Sequence, residues 1–499
     1  MALKGCLVLQ RRFAFLGHEL AVLLKERGVD EFCAYVHLRG SYDFLRAQKD
    51  ILYTSLILDE DIQKVYKDEK LDVEYLKKFE ADYGSVWRFI GVDRVVRYGQ
   101  LTREYPHDTS PYTHEEMLRI VQVYAKRLSK FLDEQKPSFI LAYQPGALGT
   151  VMLYAMAEMR GIPVLTIVPS ATRDVSVVSA SYDRLTWAEE IFRKNLQGKP
   201  QEIARYAEAK AFVDEFKKKP VIYSDVYSSL IKHGTLRQFE FMLPGKIGSS
   251  FRYILHAWRM WHASAETRTD YTTIHPFWYV YDRTKRKIRN LIGANDLYDV
   301  FDPKASFAFF ALHFEPELSI LMLSPFDTNQ IEIVKRLAQS LPVGMLLYVK
   351  DHPQMTPFRP RRYYKELKKI PNVRLLRPEL SSFSIVPHAK LVATITGSVG
   401  WEATLLGKPV ITFGRVFYNA LPSVARSTTP EELPELVKSQ LGKEVRDEDT
   451  VRFVAALFED GARCDLWKLW EKTENPEEKR KGLKDFADLV ARKVRLVCK

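Results

Sequence analysis

Cysteine is scarce in this chain and follows no pattern. Four residues, Cys6, Cys33, Cys464 and Cys498, are scattered over 499 positions without a CxxC pair. That argues against a zinc ribbon and against a disulfide framework, and leaves reduced thiols in cores or at the surface. Long apolar runs are also missing: none approaches the ~20 residues that span a bilayer as a helix. The stretch Met1–Arg12 has too short an apolar core for a secretory leader and reads as a first strand. The expectation is a cytoplasmic protein, free or peripheral at the inner face of the cell membrane. Neither GxGxxG nor a P-loop occurs, which disfavours a dinucleotide enzyme and a kinase. Internal repeats and low-complexity tracts are absent as well.

What is present is ordinary in bulk and uneven in detail. An apolar fraction of 46% and a charged fraction of 28% are those of a globular protein. The length is too great for one core, so two or three domains are expected. The net charge is +12, and residues 231–290 hold eleven Lys/Arg against four Asp/Glu, more than half of the excess. Such a segment implies an anionic partner. From Phe251 to Tyr281 it is also dense in aromatics, among them Tyr253, Trp258, Trp261, Trp278 and Tyr279. Three readings stay open. The aromatics are the core of a helical cover, they sit on an anionic membrane surface, or they stack bases of single-stranded nucleic acid. The membrane is kept as a partner and nucleic acid is not.

Along the chain, apolar runs alternate with amphipathic stretches. Leu7–Leu9, Phe32–Val36, Phe139–Tyr143 and Pro163–Val168 read as strands, with helices at Glu19–Arg27, His114–Gln135 and Thr150–Arg160. The rhythm lapses after about residue 190 and resumes at Phe307–Leu312, Gly344–Val349, Val373–Leu376, Leu391–Ile395 and Val410–Phe413. A βαβ rhythm of this kind predicts parallel sheets covered by helices, that is, an α/β protein. The expected divisions are an N-terminal Rossmann-like domain over 1–190 and a helical, aromatic and basic linker or insertion over 191–300. A C-terminal Rossmann-like domain over 301–440 and terminal helices over 441–499 follow. Two such domains predict a cleft, with ligands at the carboxyl ends of the strands.

The densest signal is Thr396-Gly397-Ser398-Val399-Gly400-Trp401-Glu402, running on to Gly407-Lys408-Pro409. It reads as a small-residue turn between a buried strand and a short helix, offering backbone N–H groups to a phosphate. Ser398 would join them, and Glu402, one turn on, would accept ribose hydroxyls. The plain alternatives are a turn kept small for packing and a first-turn acid that complements the helix dipole. After Val349 comes Lys350-Asp351-His352-Pro353. His352 would donate to a phosphate oxygen and Lys350 would add a charge, unless the histidine merely ends the strand. After Leu312 come His313, Glu315 and Glu317, which either contact donor or acceptor or form a solvated acidic loop. These second-domain loops hold no DxD, HxH or HxxxH, so no metal is expected. In the first domain, Gln144 and the Ser170–Asp174 loop follow strands. Arg173 would bind an anionic group and Asp174 would act as a general base, the plain reading being polar loops.

These residues together carry a resemblance. Ser306–Glu432, through Leu312–Glu317, Tyr348–Pro353 and Thr396–Glu402 with Gly407–Ile411, resembles the capsule polysaccharide synthesis family, which is similar to the Kdo transferases of capsule export. Gly161–Val164 through Arg173 is similar too, whereas the middle segment matches no family. The resemblance implies two GT-B domains, a nucleotide-sugar donor as substrate, a glycan or glycolipid acceptor, no cofactor and no metal. It also implies that His352, Thr396 and Ser398 hold the donor phosphate, with Pro353, Gly397 and Gly400 shaping the same site. Asp174 and Glu315 are the candidates for the catalytic carboxylate. The expected activity is glycosyl transfer from a nucleotide-activated sugar, CMP-linked in similar enzymes. The rivals are a nucleotide-sugar 2-epimerase, a glycerol- or ribitol-phosphate polymerase and a non-catalytic glycan- or nucleotide-binding protein.

Overall fold

Runs of Val, Ile, Leu, Phe and Ala, bounded by Gly, Pro and charged residues, become the strands of two largely parallel sheets. The computed structural model of the chain describes residues 3–10, 13–101, 108–143, 145–170, 172, 174–221, 244–264, 268–269, 271, 273–471 and 473–498. They form two compact units, one of 1–97, 112–210 and 451–499, the other of 98–111 and 211–450.

The first unit is built on β1 (Lys4–Leu9), β2 (Glu31–Val36), β3 (Tyr53–Leu58), β4 (Phe139–Tyr143), β5 (Val164–Pro169) and β6 (Val175–Ser179). Their order is β6-β5-β4-β1-β2-β3, with the short strand Ala462–Arg463 beyond β6. β1 to β5 are parallel, β5 and β6 antiparallel. Helices cover the sheet, so Cys6, Leu7, Val8 and Leu9 are all buried and the strand reads as an unbroken apolar run. The four cysteines are free.

The chain's last long helix, Pro476–Val497, belongs to this unit. It starts well: the Asn475 side chain accepts from the Glu477 N–H at 2.8 Å, Pro476 follows the cap, and Glu477 and Glu478 complement the dipole. Leu483, Phe486, Ala487, Val490 and Val494 recur at helical spacing and share a core with Leu16, Leu20 and Leu24 of the Phe13–Lys25 helix.

The second unit carries β7 (Phe307–Ala311), β8 (Leu346–Lys350), β9 (Val373–Leu376), β10 (Leu391–Thr394), β11 (Val410–Thr412) and β12 (Val424–Arg426). Their order is β12-β11-β10-β7-β8-β9 and every pair is parallel. Counted within the unit this is 3-2-1-4-5-6, the doubly wound order. Chain direction along the sheet reverses between β7 and β10, and in such sheets the crevice beyond the strand ends at that reversal takes the ligand. Phe310, Leu347, Val349, Ala393 and Ile411 fill the core behind it.

The chain is thus an α/β protein with two Rossmann-like units. The stretch expected as a linker is divided between them: Thr186–Asn195 and the first turn of Tyr206–Lys218 precede the boundary at 210–211, and the rest of that helix, Pro244–Ala263 and Pro276–Ile292 belong to the second unit. Among the described residues no helix is long and apolar enough to cross a membrane.

The docking of the last helix is open to direct test. Phe486 is 0% exposed, so Phe486→Ala is expected to cost about 3–5 kcal/mol in urea unfolding. An unchanged midpoint would show that the helix does not contribute to the first core.

Candidate functional site

The turn after β10 is held from three sides. Gly397 caps the Ser398–Leu405 helix with extended backbone and no side-chain bond. Its N–H donates to Thr394 Oγ1 at 3.1 Å, its carbonyl accepts from the Tyr418 hydroxyl at 2.6 Å, and the Thr396 N–H donates to His313 Nε2 at 3.1 Å. The small residues are required by these contacts. A Cβ on Gly397 would lie 2.8 Å from Thr394 Oγ1 and 3.0 Å from His313 Nε2, and one on Gly400 would collide with the Tyr418 hydroxyl. Two amides expected to face a phosphate, those of Thr396 and Gly397, are therefore committed internally. The helix amides of Ser398 and Val399 remain without a side-chain cap. Ser398 Oγ donates to Glu402 Oε1 at 3.1 Å. Burial pushes the Glu402 carboxyl up to about 7, against the pull of Ser398 and Lys350.

His313, after β7, reaches across the sheet reversal to this turn. Its ring is buried, and because Nε2 accepts the Thr396 N–H, the neutral ring carries its proton on Nδ1. That Nδ1 is buried, with the Gln330 side chain acting on the ring. Burial first, then His352 and Arg359, lower the ring to about 3, so it is neutral at physiological pH. Its main chain is clamped: the N–H donates to Gln330 Oε1 at 2.8 Å and the carbonyl accepts from Arg359 Nη2 at 2.6 Å. Glu315 is 1% exposed and turned inward. Its Oε2 accepts from Arg359 Nε at 3.1 Å, Arg359 Nη2 at 2.8 Å and the Tyr363 hydroxyl at 3.3 Å. Burial raises its carboxyl, with Arg359 opposing. Glu317 is partly buried ahead of the Leu318–Leu323 helix, and desolvation pushes it up to about 7.

The third contribution follows β8. Lys350 is buried, and desolvation lowers it to about 8, with Asp351, Glu379 and Glu402 opposing. Asp351 turns into the protein. Its Oδ1 accepts from the His352 N–H at 2.8 Å and from Arg359 Nη1, and its Oδ2 from the hydroxyls of Tyr364 at 2.7 Å and Tyr298 at 3.2 Å. His352 Nδ1 accepts from the Gln354 N–H at 3.2 Å, which leaves the proton of the neutral ring on Nε2. Burial, then Arg359 and Lys350, lower this ring to about 3 as well. His352 is therefore held neutral rather than carrying a resident positive charge. Pro353 follows in the turn that ends the strand and is partly buried.

The second unit thus gathers His313, Lys350, His352, Pro353, Thr396, Gly397, Ser398, Gly400 and Glu402 at the carboxyl ends of β7, β8 and β10, with Glu315 beneath them. Arg359, which holds two of those loops, was not foreseen; a lone Arg ahead of a Pro carries no local signal. In the first unit, Asp174 is exposed in the turn between β5 and β6 with left-handed backbone, φ 53°. Gln144 and Arg173 lie outside the described residues. The first unit also holds groups that sequence reasoning passed over. His37 Nε2 lies 2.9 Å from Thr150 Oγ1, and Asp59 is buried against the Tyr35 hydroxyl and pushed up to about 7. Asp93 accepts from the Leu148 N–H at 2.7 Å. Their signal was available: His37 and Asp59 each follow directly on an apolar strand. Among the described residues no three His, Cys, Asp or Glu side chains assemble as a metal ligand set.

Residues 218–433 match the model of a family described as capsule polysaccharide biosynthesis protein. The match reaches back through the aromatic and basic segment, which had resembled no family. Over 92 residues the chain is 32% identical to the capsule polysaccharide modification protein LipA of Neisseria meningitidis serogroup B, covering 18% of this chain and 13% of that protein. It is 30% identical over 128 residues to protein FixF of Sinorhizobium fredii, covering 25% and 30%. The chain thus spans well under half the length of these relatives. Among solved structures it is similar to Thermosulfurimonas dismutans KpsC, a beta Kdo 2,7 transferase, with a TM-score of 0.31 and 13% identity over 72% of this chain and 89% of that one. It is similar also to a UDP-GlcNAc 2-epimerase from Neisseria meningitidis, with a TM-score of 0.27 and 11% identity over 92% and 98%.

Two measurements check the site's electrostatics. A carboxyl raised to about 7 in the folded chain binds its proton more tightly there than when unfolded. Its stabilising contribution is complete below the unfolded value and is lost as pH rises through 7. Glu402→Gln removes that loss, so its stability relative to the parent should rise by about 2–3 kcal/mol between pH 5 and pH 8. A difference independent of pH would contradict the assignment. Arg359→Met strands two buried carboxylates and is expected to destabilise by about 3–5 kcal/mol, measured by urea unfolding at pH 7. A loss under about 1 kcal/mol, typical of a surface pair, would refute the clamp.

Proposed function

We propose that this chain, a member of the capsule polysaccharide synthesis family through residues 218–433, is a glycosyltransferase. It would move a sugar from a nucleotide-activated donor, with CMP-linked sugars the first to test, to a surface polysaccharide or glycolipid. One observation carries the reading. At the reversal of the second sheet, the uncapped start of the Ser398–Leu405 helix lies beside the buried, neutral His313 imidazole, whose Nε2 fixes the turn by accepting the Thr396 N–H. His352, at the end of the adjacent strand, adds a second neutral imidazole.

In this proposal the donor's phosphate sits at the Ser398 and Val399 amides and receives hydrogen bonds from His313 and His352. Lys350 adds charge, and Glu402, released from Ser398, accepts the ribose hydroxyls. The acceptor hydroxyl gives its proton to a carboxylate and its oxygen bonds to the anomeric carbon. The bond from that carbon to the phosphate oxygen breaks, and its electron pair leaves with the nucleotide. In this proposal fixed donors favour the step because negative charge grows on the phosphate as the bond breaks. Asp174, exposed in the first unit, is kept as the candidate base. Glu315, bound to Arg359 on the same oxygen twice, is assigned to positioning. The reaction is proposed to need neither metal nor cofactor and to run in the cytoplasm.

Thermal-shift measurements with CMP, CDP, UDP and GDP should single out one nucleotide that stabilises the chain. Stabilisation by none of them would sink the proposal. With that donor, His352→Ala should keep the fold by circular dichroism and lose about 10²–10³ in kcat, as for the loss of one fixed donor. Turnover of the donor without any acceptor would instead favour the epimerase reading.

A further inference from the structure

A helix that packs on a protein body buries one apolar stripe and exposes a polar face. The Pro244–Ala263 helix does otherwise. Of residues 251–260 every one but Ala257 is exposed, and these include Phe251, Tyr253, Ile254, Leu255, Trp258 and Met260. Its neighbour is the Pro276–Ile292 helix, met through Tyr253 on Tyr279, with ring centroids 6.3 Å apart, and through Trp258 and Trp261 on His275 at 5.3 and 4.8 Å.

The second helix shows how the pair is mounted. Asp282 is buried and ion-paired with Arg286. The Arg286 guanidinium lies 3.8 Å over the Phe358 ring, and Arg289 Nη1 donates to the Phe358 carbonyl at 2.6 Å. Positions 282, 286 and 289 share one side of a helix with 3.6 residues per turn. Phe277, Tyr281, Ile288 and Leu291 fall on other sides, away from that anchor, and Phe277, Ile288 and Leu291 are each more than half exposed. Over 244–292 the sequence has nine Lys/Arg and three Asp/Glu.

We propose that these two helices form a docking surface for an anionic lipid bilayer. It would lie in the headgroup region with Phe251, Trp258, Phe277, Ile288 and Leu291 inserted and the cations against lipid phosphates. This goes beyond the transferase reading and does not depend on it. Apolar and aromatic side chains exposed around much of one helix suit a fluid interface that closes on all of them, and cations interleaved with Trp and Tyr match the headgroup layer. A second copy of the chain is the poorer occupant, because it would bring two surfaces of the same strong positive charge together.

Co-sedimentation with phosphatidylcholine vesicles, with and without about 30% phosphatidylserine, tests this at low and high salt. The full chain should bind the anionic vesicles at least about tenfold more tightly than the neutral ones, and lose most of that advantage at high salt. The variant Phe277→Ser/Ile288→Ser/Leu291→Ser changes exposed residues only. It should keep the parent's circular dichroism and thermal midpoint, and bind anionic vesicles at least about tenfold more weakly. Arg252→Glu/Arg259→Glu should weaken binding similarly at low salt alone. Failure of the parent chain to bind anionic vesicles would overturn the proposal, as would full binding by the triple variant. So would a concentration-dependent dimer, in sedimentation velocity without lipid, that the triple variant abolishes.

Discussion

The second unit's site depends on one buried guanidinium. Arg359, with a side chain fully removed from solvent, binds the carbonyl of His313, the carboxylate of Glu315 and the carboxylate of Asp351. The first two belong to the loop after β7 and the third to the loop after β8, so a single planar fork sets the spacing of both. Lysine has the charge but not the geometry, because a point donor cannot address three acceptors in fixed directions. One cation does not neutralise two carboxylates, and burying the surplus charge is costly unless other donors share it. The hydroxyls of Tyr363, Tyr364 and Tyr298 supply them.

The same cation governs protonation above it. Its field adds to desolvation in keeping His313 and His352 neutral. Each imidazole has one nitrogen taken up by a backbone N–H, so the tautomers are opposite: Nδ1–H for His313 and Nε2–H for His352. The arrangement holds both imidazoles neutral, while desolvation brings Lys350 down to about 8 and Glu402 and Glu317 up to about 7. A phosphate entering there meets donors that need no proton uptake to bind it, and a cation close to its titration point that the phosphate's own charge would hold protonated.

Much of the fold was legible because it is local. The strands of both sheets stand out as apolar runs between breakers, and the residues after β7, β8 and β10 could be named as site candidates from the rule that ligands gather at carboxyl ends. What escaped is tertiary. The bond from Thr396 to His313 joins positions 83 residues apart, and nothing near Thr396 announces that its amide is committed. Glu315 reads as an acid in a polar loop, and only the presence of Arg359 beneath it turns it inward. The division at 210–211 falls inside the Tyr206–Lys218 helix, where no Pro or Gly marks it. The last helix was plain as a helix, but its amphipathic stripe does not say which core receives it.

Phe358 and Arg359 are consecutive, and they face different tasks. The Phe358 carbonyl and ring carry the helix pair through Arg289 and Arg286. Its ring also lies 5.8 Å from that of Phe314, which in turn lies 6.1 Å from the His352 imidazole. The next side chain, Arg359, fixes the loops of both histidines. A rotation of the Phe358–Arg359 peptide would therefore shift the mounting of the helices and the clamp on the site together, since the backbone between two such residues has only two soft dihedrals. The helix pair and the site thus share one peptide unit as a support, held by Arg289 on one side and by the buried carboxylates on the other.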